Sequence, residues 1–166
     1  MQAGRWLLLA WLLPASMAGA QSAFRVGLGA DIPIGGSADL FKNGYHTSAG
    51  FAFNNSFLRH VVRIDGAITE LRTRDSVPAS HKIQYLTADI VIASPSKISP
   101  SGYVVLGLGA YQQSSAAMRS SDVGANVGAG ISFPRRIGGT YIEARLHYIP
   151  SEKRTKLCPL TVGLAF

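Results

Sequence analysis

Residues 140–148 read TYIEARLHY, and in this stretch apolar and polar side chains alternate without a break. One set of alternate positions is apolar and the other is polar or charged: Ile142, Ala144, Leu146 and Tyr148 against Tyr141, Glu143, Arg145 and His147. A period of two places successive side chains on opposite faces of a β-strand. The stretch therefore predicts a strand with one apolar face and one charged face.

Seven further segments show the same alternation, separated by stretches rich in turn residues: 24–33, 45–54, 61–71, 82–94, 102–112, 122–133 and 157–166. The segment 82–94 is the least regular, because Ile83 and Tyr85 fall on its polar face. Strands of about ten residues suit a tilted crossing of a bilayer. An even number of strands closes the sheet and removes its edges. We therefore predict an all-β fold, an eight-stranded antiparallel up-and-down transmembrane β-barrel.

The first twenty residues differ from the rest of the chain. They read MQAGRWLLLAWLLPASMAGA, with Arg5 before an apolar run at 6–13 and small residues at 18–20. These are the three parts of a secretory signal peptide, and the alternative is an uncleaved N-terminal anchor. We expect residues 1–20 to be cleaved and 21–166 to form the barrel domain. The single cysteine, Cys158, cannot form an internal disulfide.

The two faces of the predicted strands differ in a way that indicates their surroundings. The polar face combines many glycines with charges of both signs: Arg25, Asp31, Arg63, Asp65, Asp89, Glu143, Arg145 and His147. Glycine weakens a surface strand, whereas small residues inside a narrow barrel leave room for long charged ones. We therefore expect this face to form a charge network inside the barrel, and the apolar face to contact lipid.

The formal net charge is +7, which raises the possibility of a nucleic-acid partner. The basic residues instead fall in connecting segments, and no stretch interleaves them with aromatic residues as a single-strand groove would. We expect no nucleic-acid binding and some attraction to anionic lipid head groups.

The chain ends with LTVGLAF at 160–166, apolar at alternate positions before a terminal phenylalanine. This ending, residues 141–148 and the aromatic-glycine run at 103–111 resemble the outer-membrane β-barrel domain family. The architecture is similar to the transmembrane domain of outer-membrane protein A and to small adhesion-type barrels. The resemblance implies a bacterial outer-membrane location and an assembly signal that the barrel-assembly machinery reads, formed by Leu160, Val162, Leu164 and Phe166.

We expect a structural or surface-interaction role without catalysis, cofactor or metal. We also expect no stable open pore, because side chains fill an eight-stranded interior, and we expect a monomer. Basic loop residues would then contact lipopolysaccharide phosphates or a protein partner: Arg72, Arg74, Lys153, Arg154 and Lys156. One alternative is a periplasmic soluble β-barrel that binds a small apolar ligand. Another is a lipid A-modifying enzyme that uses His147, Ser151 and Glu152, although Ser151 and Glu152 follow Pro150 in a loop.

Overall fold

The fold is made almost entirely of strands. A computed structural model describes residues 22–55, 60–74, 80–93, 100–115, 119–134, 138–151 and 154–166. The strands are Ser22–Pro33 (β1), Phe41–Asn55 (β2), His60–Thr73 (β3), Ser80–Ala93 (β4), Ser101–Ser114 (β5), Arg119–Pro134 (β6), Gly139–Ile149 (β7) and Thr155–Ala165 (β8), with one short helix, Gly36–Leu40 (α1). Within these residues no helix has the length and apolarity to cross a membrane.

The eight strands form one closed antiparallel barrel in which each strand pairs with its neighbours in sequence and β1 pairs with β8. The backbone groups of Phe24 and Phe166 bond to each other at the closure, with N···O distances of 3.2 and 2.8 Å. We call the end of the barrel where Ser22 and Phe166 lie the terminal end, and the end where α1 lies the distal end. The expected eight-stranded up-and-down barrel is confirmed.

The side chains inside the barrel form layers along its axis. The distal apolar cluster consists of Phe41, Leu71, Ile83, Tyr111, Ile149 and Leu157, and the terminal apolar cluster of Val91, Tyr103 and Val105. Charged residues occupy the layer between them. Ile83 and Tyr85 share the inward phase of Thr87 and Asp89. These two apolar residues, which interrupt the polar face of β4 in the sequence, therefore pack in or against the distal apolar cluster.

Glycines on the inward face make room for large neighbours. Gly163 pairs with Tyr141 across β7 and β8, and a Cβ on Gly163 would overlap the Tyr141 ring. The Tyr141 hydroxyl lies close to the backbone of β1, where it donates to the Val26 carbonyl at 3.3 Å. Small and large inward residues thus alternate around the barrel, as a narrow interior requires.

Pro159 lies inside β8 and faces the interior. The β7–β8 pairing stops after Ala144↔Leu160 and resumes at His147↔Leu157. Because proline has no N–H, it cannot donate to the ladder at the position between them. The register is the same on both sides of the gap, so the barrel closes without a slip.

The distal end differs from the sequence-based expectation in two respects. The predicted strands leave connections near 34–44, 71–81, 113–121 and 149–156, but the observed strands extend into all four, and β3 pairs with β4 as far as Arg72↔Ser80. Backbone pairing continues where the side-chain alternation fades. No helix was expected, yet α1 forms a single turn after Gly35, too short to show a helical period in the sequence.

Candidate functional site: the barrel interior and its distal mouth

A cluster of charged side chains fills the middle of the barrel. Arg63 of β3 donates two hydrogen bonds to Glu143 of β7, Nη1 to Oε2 at 2.8 Å and Nη2 to Oε1 at 3.1 Å. Arg63 Nε also lies 2.7 Å from Asp65 Oδ2, an ion pair without hydrogen-bond geometry. The two-pronged contact between Arg63 and Glu143 joins opposite sides of the barrel, because β3 and β7 are four strands apart in a closed barrel of eight.

Arg145 contacts all three carboxylates of the cluster. Its Nε donates to Glu143 Oε1 at 2.5 Å, its Nη1 donates to Asp89 Oδ2 at 2.9 Å, and its Nη2 pairs with Asp65 Oδ2. Arg25 completes the cluster, with Nη2 3.7 Å from Glu143 Oε2 and its guanidinium 3.8 Å from the Tyr141 ring centre. We call Arg25, Arg63, Asp65, Asp89, Glu143 and Arg145 the charge cluster.

Two neutral side chains also donate hydrogen bonds to the Asp89 carboxylate. Asn126 Nδ2 donates to Asp89 Oδ1 at 2.8 Å, and the Thr87 hydroxyl donates to Oδ2 at 3.0 Å. The formal charges of the three arginines and three carboxylates cancel. Burying charges is tolerable only when they are paired, and each charged group of this cluster has at least one oppositely charged partner within 4 Å.

Two of the eight residues expected in one charge network lie apart from it. Asp31 is fully buried, and its Oδ1 is 3.2 Å from His46 Nδ1, while His46 Nε2 is 2.9 Å from Thr161 Oγ1. His147 Nδ1 is 2.7 Å from the Tyr111 hydroxyl, and its ring packs 4.8 Å from that of Tyr85. The expected single network is thus a six-residue charge cluster plus two separate polar contacts nearer the distal end.

Sequence reasoning did not identify the partners Thr87, Tyr111, Asn126 and Thr161. The alternation places each of them on the inward face, and this was the one feature of the sequence that could have marked them as partners of the charged residues. Which inward residues meet depends on how the strands are staggered around the barrel. The period-two alternation alone does not show this stagger.

The interior is filled at the charge cluster. The cavity beside Arg25, Asp65, Tyr141 and Glu143 has a volume of about 20 Å³, enough for about one water molecule. Fully buried apolar side chains of the distal apolar cluster, such as Ile83, lie between this layer and the distal end. The expectation that the barrel forms no stable open pore remains a prediction about conductance.

The outer surface of the barrel is apolar. Leu28, Leu108 and Val123 are 69%, 65% and 70% exposed, whereas Arg63 inside the barrel is 1% exposed. Exposed aromatic side chains lie toward both ends: Phe24, Phe133 and Phe166 at the terminal end, and Tyr45 and Tyr148 at the distal end. The assembly-signal residues, Leu160, Val162, Leu164 and Phe166, all point outward. Their role in assembly remains a prediction.

The residues considered for a lipid A-modifying enzyme do not form a catalytic pair. His147 Nε2 and Ser151 Oγ are both buried, and neither has a hydrogen-bond partner among the described residues. A serine nucleophile needs its base within hydrogen-bond reach. Glu152 lies outside the described residues.

The distal end carries an excess of basic side chains. Arg72, Arg74, Arg154 and Lys156 are exposed there, and Lys153 lies outside the described residues. Arg74 is engaged with the backbone, because its Nε donates to the carbonyls of Ala38 and Phe41 at 2.7 and 3.2 Å. Arg72, Arg154 and Lys156 are therefore better placed than Arg74 to meet an external anion.

The distal mouth is a cavity of about 470 Å³ above the distal apolar cluster. Its lining combines a ring pair, hydroxyl groups, an amide and charged residues, including Phe41, His81, Gln113, Arg119, Asp122 and Thr155. Gln113 and Thr155 are buried, and the Thr155 hydroxyl donates to Gln113 Oε1 at 3.0 Å. The site could not be predicted from the sequence, because its residues come from six separate segments of the chain.

No protein-family model matches the chain, and no curated protein matches it in sequence. Solved structures do match. Neisserial surface protein A is 13% identical with a TM-score of 0.69 over 89% of this chain and 97% of that one.

Two further structures match over 89% of this chain and 99% of theirs. The N-terminal β-barrel domain of Pseudomonas aeruginosa OprF is 19% identical, with a TM-score of 0.54. The attachment invasion locus protein Ail of Yersinia pestis, in complex with the heparin analogue sucrose octasulfate, is 20% identical, with a TM-score of 0.57. This chain therefore has the fold of the small eight-stranded outer-membrane β-barrels.

Proposed function

We propose that this chain is a bacterial outer-membrane β-barrel with a structural or surface-interaction role and no catalytic activity. In this proposal, residues 1–20 are a signal peptide that is removed on export. The terminal end then faces the periplasm and the distal end faces the cell exterior. The observation that carries the proposal is the polarity of the barrel, which is apolar outside and charged inside.

A soluble barrel has the opposite polarity. Water-exposed strands would not present a continuous band of large apolar side chains such as Leu28, Leu108 and Val123. In lipid the same band stabilises the protein, and closure of the barrel satisfies the backbone groups. Exposed aromatic residues toward both ends fit the two interfaces of a bilayer.

The alternative of a periplasmic barrel that binds a small apolar ligand finds little support in the interior. The cavity at the charge cluster measures about 20 Å³ and is lined by Arg25, Asp65 and Glu143, among others. Small-molecule pockets are typically about 300–1,000 Å³ and mostly apolar. An apolar ligand would have to displace buried ion pairs to enter.

Cell fractionation with gel electrophoresis tests the proposed location. We expect the protein in the outer-membrane fraction. On a gel, the unboiled sample should migrate differently from the boiled sample, because the folded barrel resists the detergent until it is heated. A protein recovered from the soluble periplasmic fraction, without a heat-dependent shift, would contradict the proposal.

The excess of basic residues at the distal end supports a second element of the proposal, contact with lipopolysaccharide phosphates. Each basic side chain near an anionic membrane surface contributes about 1 kcal/mol. Replacing Arg72, Arg154 and Lys156 together by glutamine should weaken binding of the purified protein to lipopolysaccharide micelles. The charge-retaining variant R72K/R154K/K156R is the matched control. Equal binding by both variants would rule out this contact.

A further inference from the structure

We propose that the distal mouth cavity binds an uncharged saccharide ring. The cavity is open at the distal end and measures about 470 Å³, within the range of about 300–1,000 Å³ that is typical of small-ligand sites. Below it, Leu71, Ile83 and Ile149 are completely buried and close the barrel. A molecule that enters the mouth therefore stops there and does not pass through.

One side of the cavity is formed by two stacked rings. The Phe41 and His81 rings lie 4.7 Å apart at an interplanar angle of 28°. Both residues line the cavity, Phe41 from the start of β2 and His81 from the start of β4. A flat aromatic surface beside polar groups suits a ligand with one apolar C–H face and a polar edge, which describes a sugar ring.

The polar groups of the lining are suited to hydroxyl groups. The Gln113 oxygen accepts from Thr155 at 3.0 Å and lies 3.3 Å from His81 Nε2. Since both contacts use the oxygen, the amide nitrogen of Gln113 remains as a donor. Ser151 also lines the cavity, and its buried hydroxyl has no hydrogen-bond partner among the described residues. This hydroxyl is therefore available to a molecule that enters the cavity.

The charges of the lining favour a neutral ligand. Asp122 lines the cavity and has the inward phase of Gly124 and Asn126, whereas Arg119 has the outward phase of Val123 and contributes no positive charge to the interior of the cavity. Arg119 Nη2 donates to Gln112 Oε1 at 2.6 Å, and Asp122 Oδ2 accepts from the Ser120 hydroxyl at 3.2 Å. A site for a phosphate or sulfate would carry an excess of positive groups. The Asp122 carboxylate can instead accept hydrogen bonds from the hydroxyls of a sugar.

Sugar binding at the distal mouth can be measured on the purified protein, whatever its cellular location. The folded protein in detergent micelles is titrated with methyl glucoside, methyl galactoside and N-acetylglucosamine, and binding is followed by saturation-transfer NMR. We expect at least one of these uncharged sugars to bind at millimolar concentration. Glucosamine 6-phosphate and sucrose octasulfate serve as charged probes.

Three variants locate the binding. Gln113→Ala removes the amide, Phe41→Leu removes the ring and keeps an apolar side chain, and Asp122→Asn removes the charge without loss of volume. Each should weaken binding by about tenfold, the equivalent of one hydrogen bond or ring contact. Gln84→Ala is the matched control, because Gln84 lies near the distal end of β4 and does not line the cavity. A heat-dependent gel shift verifies that each variant is folded.

Three results would overturn the inference. The first is no binding of any uncharged sugar in the panel. The second is binding of the charged probes alone, which would assign the mouth to an anion. The third is sugar binding that folded Gln113→Ala and Asp122→Asn proteins retain in full, which would place the sugar elsewhere.

Discussion

The guanidinium of Arg145 contacts three carboxylates at once, those of Asp65, Asp89 and Glu143. Removing one partner from a buried ion cluster leaves uncompensated charge, which typically costs about 3–5 kcal/mol. We therefore expect Arg145→Met to lower the free energy of unfolding by about 3–5 kcal/mol. Urea titration of the protein in lipid vesicles measures this quantity.

Arg72→Met is the control for this prediction, because Arg72 is exposed at the distal end. A surface substitution of this kind changes stability by less than about 0.5 kcal/mol. If Arg145→Met and Arg72→Met unfold at the same urea concentration, the charge cluster does not contribute to stability as described.

Gly107 provides a second test at the residue scale. A Cβ at this position would overlap Asp89 Oδ1 and lie 2.7 Å from the Ala88 carbonyl oxygen. Overpacking of this kind costs about 1–3 kcal/mol, so Gly107→Ala should be destabilised by that amount in the same urea titration.

Gly102 lies on the same strand, and a Cβ there would meet nothing within 4 Å. Gly102→Ala should therefore leave the unfolding midpoint unchanged or raise it slightly. Equal effects of the two substitutions would indicate that the interior around Asp89 is not closely packed.

At the residue scale, alternation in the sequence assigned each charged side chain to a face, but it did not identify contacts. Arg63 and Glu143 are 80 positions apart, and Asp31 and His147 lie outside the cluster in which they were expected. The alternation shows only that a residue points inward, and it does not distinguish one inward residue from another. The stagger of the strands decides which of them meet.

The last strand, β8, is the element with a predicted role in biogenesis. Phe166 is 63% exposed, and its backbone pairs with Phe24 at the barrel closure. If the barrel-assembly machinery reads this ending, Phe166→Ser should reduce the amount of protein in the outer membrane. The purified variant should still fold in detergent, because the hydrogen bonds between Phe166 and Phe24 that close the barrel are backbone bonds.

Phe133→Ser is the matched control, since Phe133 is also an exposed phenylalanine at the terminal end, on β6. The measurement is the outer-membrane level of each variant, relative to its yield of folded protein in detergent. Equal outer-membrane levels for the two variants would refute an assembly role specific to Phe166.

At the element scale, the existence and phase of all eight strands followed from the sequence, but their distal ends did not. β2 begins at Phe41 instead of Tyr45, and its pairing with β3 is irregular between Lys42 and Tyr45. Side-chain alternation depends on an apolar environment on one face. Beyond that environment, backbone hydrogen bonds extend the strands through polar residues that carry no pattern.

The barrel as a whole depends on one arrangement, an apolar outer face and a charged, closely packed inner layer. The sequence contained this arrangement, because period-two alternation and the distribution of glycines are local properties. The distal mouth could not be predicted in the same way. Phe41, Gln113 and Thr155 come together only after the barrel has closed.

Collision accessibility of spin labels tests the central claim, that the outer face contacts lipid. Labels are attached at Leu28→Cys, Leu108→Cys and Val162→Cys, and at Arg72→Cys as the water-exposed control, each in a Cys158→Ser background and in phospholipid vesicles. We predict that the first three labels collide readily with oxygen and poorly with a water-soluble nickel chelate, with the reverse at Arg72→Cys. Nickel accessibility at Leu28, Leu108 and Val162 equal to that at Arg72 would contradict a membrane-spanning barrel.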